Sequence, residues 1–303
     1  MSSMKKLTTL FSIFYFLFSV SSFAQDLPKT TIFTSDFSKA GKEMTFAAPQ
    51  KITDFIGYNN QPFFMPDEQT ILFVSVRENK HADIYSYDSR SKVTTDLTNT
   101  PDVSEYSPQI TPDKKHITVV RVEKDDSTQH LYQYDLDGKN PELLLPKINP
   151  IGYYCRLNDT LVSIFVLGKP NTLQIANLRT GKAIQIDTGI GRCMQLIPGK
   201  KNTFSYIFKY DSTVNLMMSY NFVTKEKETI CMFFNKTEDY LWTSDNLIWY
   251  GANGKMMQRD TDNPDQPKEI FDFNTTPCAN FYRIVLDPYH QRIAMVSYEG
   301  KKP

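Results

Sequence analysis

The chain has 303 residues, with 34 basic and 34 acidic side chains, four cysteines and 13% aromatic residues. So even a charge balance gives no support to nucleic-acid or anionic-lipid binding, which need a clustered basic surface. The length fits either two ordinary domains or one large all-β domain.

The first residues have the three parts of a secretory signal. Lys5 and Lys6 precede an apolar stretch from Leu7 to about Phe23, and Ser22-Phe-Ala24 is a small-x-small cleavage site. A signal peptide over 1–24 and one mature domain over 25–303 are therefore expected. An uncleaved anchor is the alternative, because the apolar run is near the length that spans a bilayer. No apolar run of about 18 residues follows, so after cleavage the chain is not expected to be an integral membrane protein.

Next, "TTIFTSDFSKAGKEMTFAAPQKIT" (Thr30 to Thr53) reads as the outer two strands of a unit whose inner two are missing. "QPFFMPDEQTILFVSVRENKHADIYSYD" (Gln61 to Asp88) then repeats 46 residues later as "PQITPDKKHITVVRVEKDDSTQHLYQYD" (Pro108 to Asp135). Each copy has a short strand ending in Pro-Asp, a tight turn, an apolar β-branched run, a polar loop and a strand closing on Tyr-x-Tyr-Asp. A weaker fourth strand follows, such as "KVTTDLT". Proline presets φ for the turn, and the aspartate accepts hydrogen bonds from the N–H groups after it. The β-branched and aromatic residues suit a pleated, packed surface.

The turn recurs in eroded form at Asn158-Asp159, Pro198-Gly199, Ser244-Asp245 and Asp287-Pro288, giving spacings of 46, 46, 40, 46 and 42 residues. A period of roughly 40 to 45 residues with four strands per unit is the pattern of propeller blades. After the sixth turn only "RIAMVSY" (Arg292 to Tyr298) remains, a second strand without a third or fourth. The expected fold is all-β: a six-bladed β-propeller of four-stranded blades, its ring closed by N-terminal strands completing the C-terminal blade.

Chemistry-bearing motifs are sparse. G-x-S-x-G, H-E-x-x-H and the phosphate-binding G-x-x-x-x-G-K-[ST] are all missing. "GIGRCM" from Gly189 lacks a third glycine and is expected to connect two blades. "DTDNPDQP" from Asp260 puts proline where a calcium loop needs an oxygen ligand, so it is expected to be a solvated turn. His81 and His130 are expected on one face, His116 and His290 on the other, all in surface loops and too dispersed to hold a metal. Neither a catalytic residue, a metal site nor a cofactor is expected. Cys155, Cys193, Cys231 and Cys278 form no C-x-x-C pair, and disulfides and buried thiols are both open readings.

The units "QPFFMPDEQTILFVSV…ADIYSYD" and "SPQITPDKKHITVVRV…HLYQYD" resemble the WD40-like Pro-Asp (PD40) repeats of TolB-like β-propellers. The resemblance covers Lys51 to Leu145, fades from Ile151 to Phe273, and returns near "FYRIVLDPYHQRIAMVSY". It implies a six-bladed propeller of the bacterial cell envelope that works as a protein-binding platform. A separate N-terminal α/β domain of the TolB kind is not expected.

Propellers commonly bind at one mouth of the central channel, where inner strands begin. Counting back from each turn places Tyr58, Asn60, Glu105, Tyr153, Arg192, Glu238 and Asn280 on that rim. This mixture suits a polar protein contact. The expected function is a non-catalytic, exported platform for an envelope protein or peptide, periplasmic in the first reading and secreted in the second. The alternative is a propeller enzyme or small-ligand binder such as a polysaccharide lyase.

Overall fold

The structure is a computed structural model that describes residues 27–41, 43–78, 80–234 and 237–300. The expected signal peptide, 1–24, lies outside the described residues. Every regular element among the described residues is a β-strand, and none of them forms a helix long and apolar enough to cross a membrane.

The strands form six antiparallel sheets arranged as blades. Blade one contains Tyr58–Phe64, Thr70–Val76, Ala82–Asp88 and Thr94–Asp96, and blade two contains Ser104–Ile110, His116–Val122, Gln129–Asp135 and Glu142–Leu143. Blade three contains Ile151–Arg156, Leu161–Val166, Thr172–Asn177 and Ala183–Thr188. Blade four contains Ile190–Leu196, Thr203–Lys209, Asn215–Asn221 and Lys227–Phe233. Blade five contains Leu241–Trp242, Leu247–Ala252, Lys255–Asp260 and Asn263–Asp272. In each, the first strand lines the channel and the fourth lies outermost.

Blade six takes strands from both ends of the chain. Phe281–Leu286 and Arg292–Tyr298 form its inner pair, Thr30–Ala40 and Glu43–Phe46 its outer pair, and the short Gln50–Lys51 adds to its edge. Thr30–Ala40 lies antiparallel to Arg292–Tyr298, from Thr30 opposite Tyr298 to Asp36 opposite Arg292. The ring closure expected from the incomplete terminal units is the one observed.

The continuous apolar runs of the repeats follow from burial on both faces. In the second strand of blade one, Ile71 and Phe73 pack towards blade six, with Ile32, Ala294 and Val296. Leu72 and Val74 point the other way and join Ile117, Val119 and Tyr134 of blade two. Successive side chains on a strand face opposite sides, so a sheet sandwiched between two blades needs apolar residues at every position. The core is therefore a set of layers between neighbouring blades.

The Pro-Asp turns work as their chemistry requires. Asp67 Oδ1 accepts from the N–H of Gln69 at 3.0 Å and of Thr70 at 2.8 Å, while Oδ2 accepts from the Thr70 hydroxyl at 2.6 Å. Asn158 does the same for Thr160 and Leu161, and Asp287 Oδ1 serves Gln291 and Arg292, both at 2.7 Å. In the fourth turn Gly199 takes a positive φ of 71°, which a side chain would resist.

Three local expectations change. "GIGRCM" is the start of blade four's inner strand, with only Gly189 as connector. Asn263–Asp272 is a strand, so the turn after Asp260 shrinks to two residues; Asp260 pairs with Asn263, while residues 264–267 bulge out of the ladder. His130 lies buried within the third strand of blade two rather than in a surface loop.

Candidate functional site

At the face where inner strands begin, blades four, five, six and one meet in a polar network. Asp239 lies buried just ahead of blade five. Arg192 of blade four grips both its carboxylate oxygens, through Nε at 3.2 and 3.1 Å and through a close Nη2 contact. Arg283 of blade six donates Nε to Asp239 Oδ1 at 3.2 Å and Nη1 to Asn60 Oδ1 of blade one at 2.9 Å. Asn60 in turn donates to the Tyr282 hydroxyl at 2.6 Å. Tyr282 stacks on Tyr298 with ring centroids 4.3 Å apart, and the Arg192 guanidinium stands 5.8 Å from the Tyr282 centroid.

Burial alone would push the Asp239 carboxyl up. The charges and hydrogen bonds of Arg192 and Arg283 outweigh it and hold the group below the usual carboxylate range. Burial disfavours both guanidiniums too, yet Asp239 raises them above their ordinary value, so all three stay charged. Beside them Lys209 Nζ pairs with Glu238 Oε1 at 2.6 Å, and Glu238 Oε2 accepts from the Arg192 N–H at 3.4 Å.

Two cavities share this network. The central channel, about 480 Å³, is lined by inner-strand residues of all six blades, among them Gln61, Gln109, Tyr153, Arg192, Asp239 and Arg283. A pocket of about 580 Å³ opens at the mouth over blades five and six, lined by Arg192, Glu238, Asp239, Asn280, Tyr282 and Tyr298. A larger hollow of about 740 Å³ lies on the opposite, turn-bearing face, beside Lys39, Asp245, His290 and Arg292.

The seven residues expected on the rim fall in different places. Arg192, Glu238 and Asn280 line the mouth pocket, and Tyr153 lines the channel. Asn60 is buried as a link in the network, and half-buried Tyr58 stands close enough to Arg283 to feel its charge. Glu105 has no exposed surface and points between blades one and two, where it accepts from Thr100 Oγ1 at 2.7 Å and Tyr134 Oη at 3.0 Å. Counting from the turns missed Asp239, Tyr282 and Arg283. Bulges shift the register in the inner strands of blades one to four and six, including between Phe281 and Arg283.

Burial raises the Glu105 carboxyl to about 7; Thr100 and Tyr134 and the charge of Arg121 pull it down, and Asp83 adds to the rise. The folded state therefore holds this proton at pH values where the unfolded chain has lost it. The stability so gained is complete below the unfolded value of 4.5 and disappears as pH rises through about 7. Glu105→Gln is expected to remove a pH-dependent loss on the order of 2–3 kcal/mol between about pH 5 and pH 8. Urea midpoints across that range check it; parallel profiles for the variant and the parent would reject it.

Among the described residues no group of three or more His, Cys, Asp or Glu side chains is placed to hold a metal ion. The four cysteines carry free thiols, and burial raises those of Cys155 and Cys193 to about 12, which keeps them protonated. The histidines stay apart: His290 accepts from the Ser244 N–H on the turn face, and His116 stands 3.9 Å from Asp135.

A closed ring of six blades around a channel with a charged mouth defines the class, a six-bladed β-propeller. Its fold is that of TolB proteins. TolB from Acinetobacter baumannii matches at TM-score 0.55 and 12% identity over 90% of this chain, which spans 65% of the length of that one. A protein assigned as TolB from Agrobacterium tumefaciens matches at TM-score 0.61 and 11% identity, over 91% of this chain and 100% of that one. Oligogalacturonate lyase from Vibrio parahaemolyticus also matches, at TM-score 0.56 and 13% identity, over 83% and 81%. At such identities it is the fold that is shared. No family model and no curated protein matches the sequence.

Proposed function

We propose that the chain is an exported, non-catalytic platform that holds another protein or a peptide at the channel mouth, in the periplasm of a bacterial envelope. The observation that carries this reading is the charged network itself. Arg192, Asp239, Arg283 and Asn60 are fixed on four blades; Arg192 and Asp239 line the open mouth pocket and Arg283 lines the channel, so polar groups are pre-positioned for a partner without reorganisation. Exposed apolar side chains that suit protein contact stand on the same face: Leu167, Tyr210 and Phe234, on loops of blades three and four. The basic-apolar-small pattern of residues 1–24 supports export, with 25–303 as the mature domain.

The test is reversible crosslinking of the tagged chain in its native envelope, with the double variant Glu238→Arg, Asn280→Arg as control. Both positions border the pocket outside the Asp239 pairings. A partner captured in near-equal amount by the parent and lost by the variant supports the platform. Equal capture by both moves binding away from the mouth. A stoichiometric divalent metal, or cleavage of an acidic polysaccharide by the purified chain, would instead support an enzyme of the oligogalacturonate lyase kind.

A further inference from the structure

The two guanidiniums at the mouth outnumber the carboxylate between them. Lys209 and Glu238 neutralise each other, so the network of Arg192, Arg283 and Asp239 is left with one positive charge in a half-buried place. Arg192 spends Nε and Nη2 on Asp239, while Arg283 spends Nε on Asp239 and Nη1 on Asn60. Nη1 of Arg192 and Nη2 of Arg283 donate to no described residue. Neither is a fully enclosed orphan, so both keep access to solvent, and both side chains line the channel cavity. Tyr58 and Tyr153 lie within electrostatic reach of Arg283, and their hydroxyls likewise bond to no described residue.

This arrangement has the donors for one oxyanion and the charge for one. Guanidinium arms receive a planar carboxylate in charge-assisted hydrogen bonds, stronger than neutral ones. A phosphate dianion fits less well, because one net charge would face two and Asp239 would repel the excess. Apolar anchors stand on the same face: Tyr210 is 65% and Phe234 69% exposed, both on blade four, the blade that carries Arg192. Carboxylate and aromatic contacts together describe a peptide rather than a bare ion.

We propose that the channel mouth recognises a single carboxylate of a peptide partner, received by the free arms of Arg192 and Arg283. The inference rests on the platform reading and names the chemistry of its ligand. An acidic side chain and a chain terminus both supply that chemistry.

Isothermal titration with three synthetic probes separates the cases: acetyl-Ala-Tyr-Glu-Tyr-Ala-amide, the same peptide with Gln for Glu, and the Gln peptide with a free C-terminus. Binding of the Glu amide alone assigns a side-chain carboxylate. Binding of the free-terminus peptide alone assigns a chain end, and binding of both assigns either source. In each supporting case the neutral Gln amide binds about tenfold more weakly or worse. Arg192→Lys keeps the charge beside Asp239 but loses the fork, and is expected to weaken the acidic probe about tenfold while melting as a folded protein. Equal affinity for acid and amide, or no binding of either acid into the millimolar range, overturns the carboxylate site. If the crosslinked partner is nevertheless lost with the mouth variant, the platform stands and only this inference falls.

Discussion

Asp239→Ala is expected to lower the melting midpoint by roughly 10 °C, within a range of about 6–20 °C. The carboxylate sits between Arg192 of blade four and Arg283 of blade six, and Arg283 continues to Asn60 of blade one. One side chain thus joins four neighbouring inner strands around the channel. Removing it leaves two partly buried guanidiniums facing each other without compensation, a loss on the order of 3–5 kcal/mol. The contrast is Glu238→Gln, whose partner Lys209 is well exposed, so less than about 1 kcal/mol is expected. Thermal melts of the two variants check the pair. A shift for Asp239→Ala no larger than for Glu238→Gln would show that packing between blades, and not the charged network, holds the inner strands together.

The ring was legible because its signal is written in local chemistry. Asp67, Asp113 and Asp287 each accept hydrogen bonds from the backbone after their turn, so the period of the turns survives where the strands between them have drifted. The incomplete ends were equally readable, since "RIAMVSY" needs an outer pair and Thr30–Ala40 supplies it. The mouth was less so. A bulge adds residues to the inner strand without any mark in composition, and counting back from a turn then lands on Asn280 while Arg283 makes the contact. Glu105 shows the second limit: position on the mouth end of a strand does not fix which way a side chain points, and this one turns into the seam beside Tyr134 and Thr100. Asp239 stands next to Glu238 in sequence, yet only the fold shows that Arg192 and Arg283 converge on it from two other blades.

Phe33→Pro is expected to cost about 5 kcal/mol or more and to open the ring at the seam where the Thr30–Ala40 strand meets Arg292–Tyr298. Residues of the Thr30–Ala40 strand alternate between two interfaces: Ile32 packs with Phe64, Ile71 and Phe73 of blade one, and Phe33 with Trp249 and Phe273 of blade five. The Ile32 N–H donates to Thr53 Oγ1, and its carbonyl accepts from the Ile52 N–H, so both face away from Arg292–Tyr298. In an antiparallel ladder the next residue faces the other way, which turns the Phe33 N–H towards its opposite number, Met295. Proline removes that donor, and the lost phenyl ring empties a core site, at about 3–5 kcal/mol for the ring and about 1–3 kcal/mol for the acceptor left unpaired. Phe33→Ala isolates the first term, so urea unfolding of both variants separates cavity from ladder. If the two unfold at the same midpoint, the closing hydrogen bonds add nothing to the ring and side-chain packing alone keeps it shut. If the proline variant unfolds earlier and with a shallower slope, the seam opens before the blades melt, and the strand joining the chain's two ends is what makes six blades unfold as one.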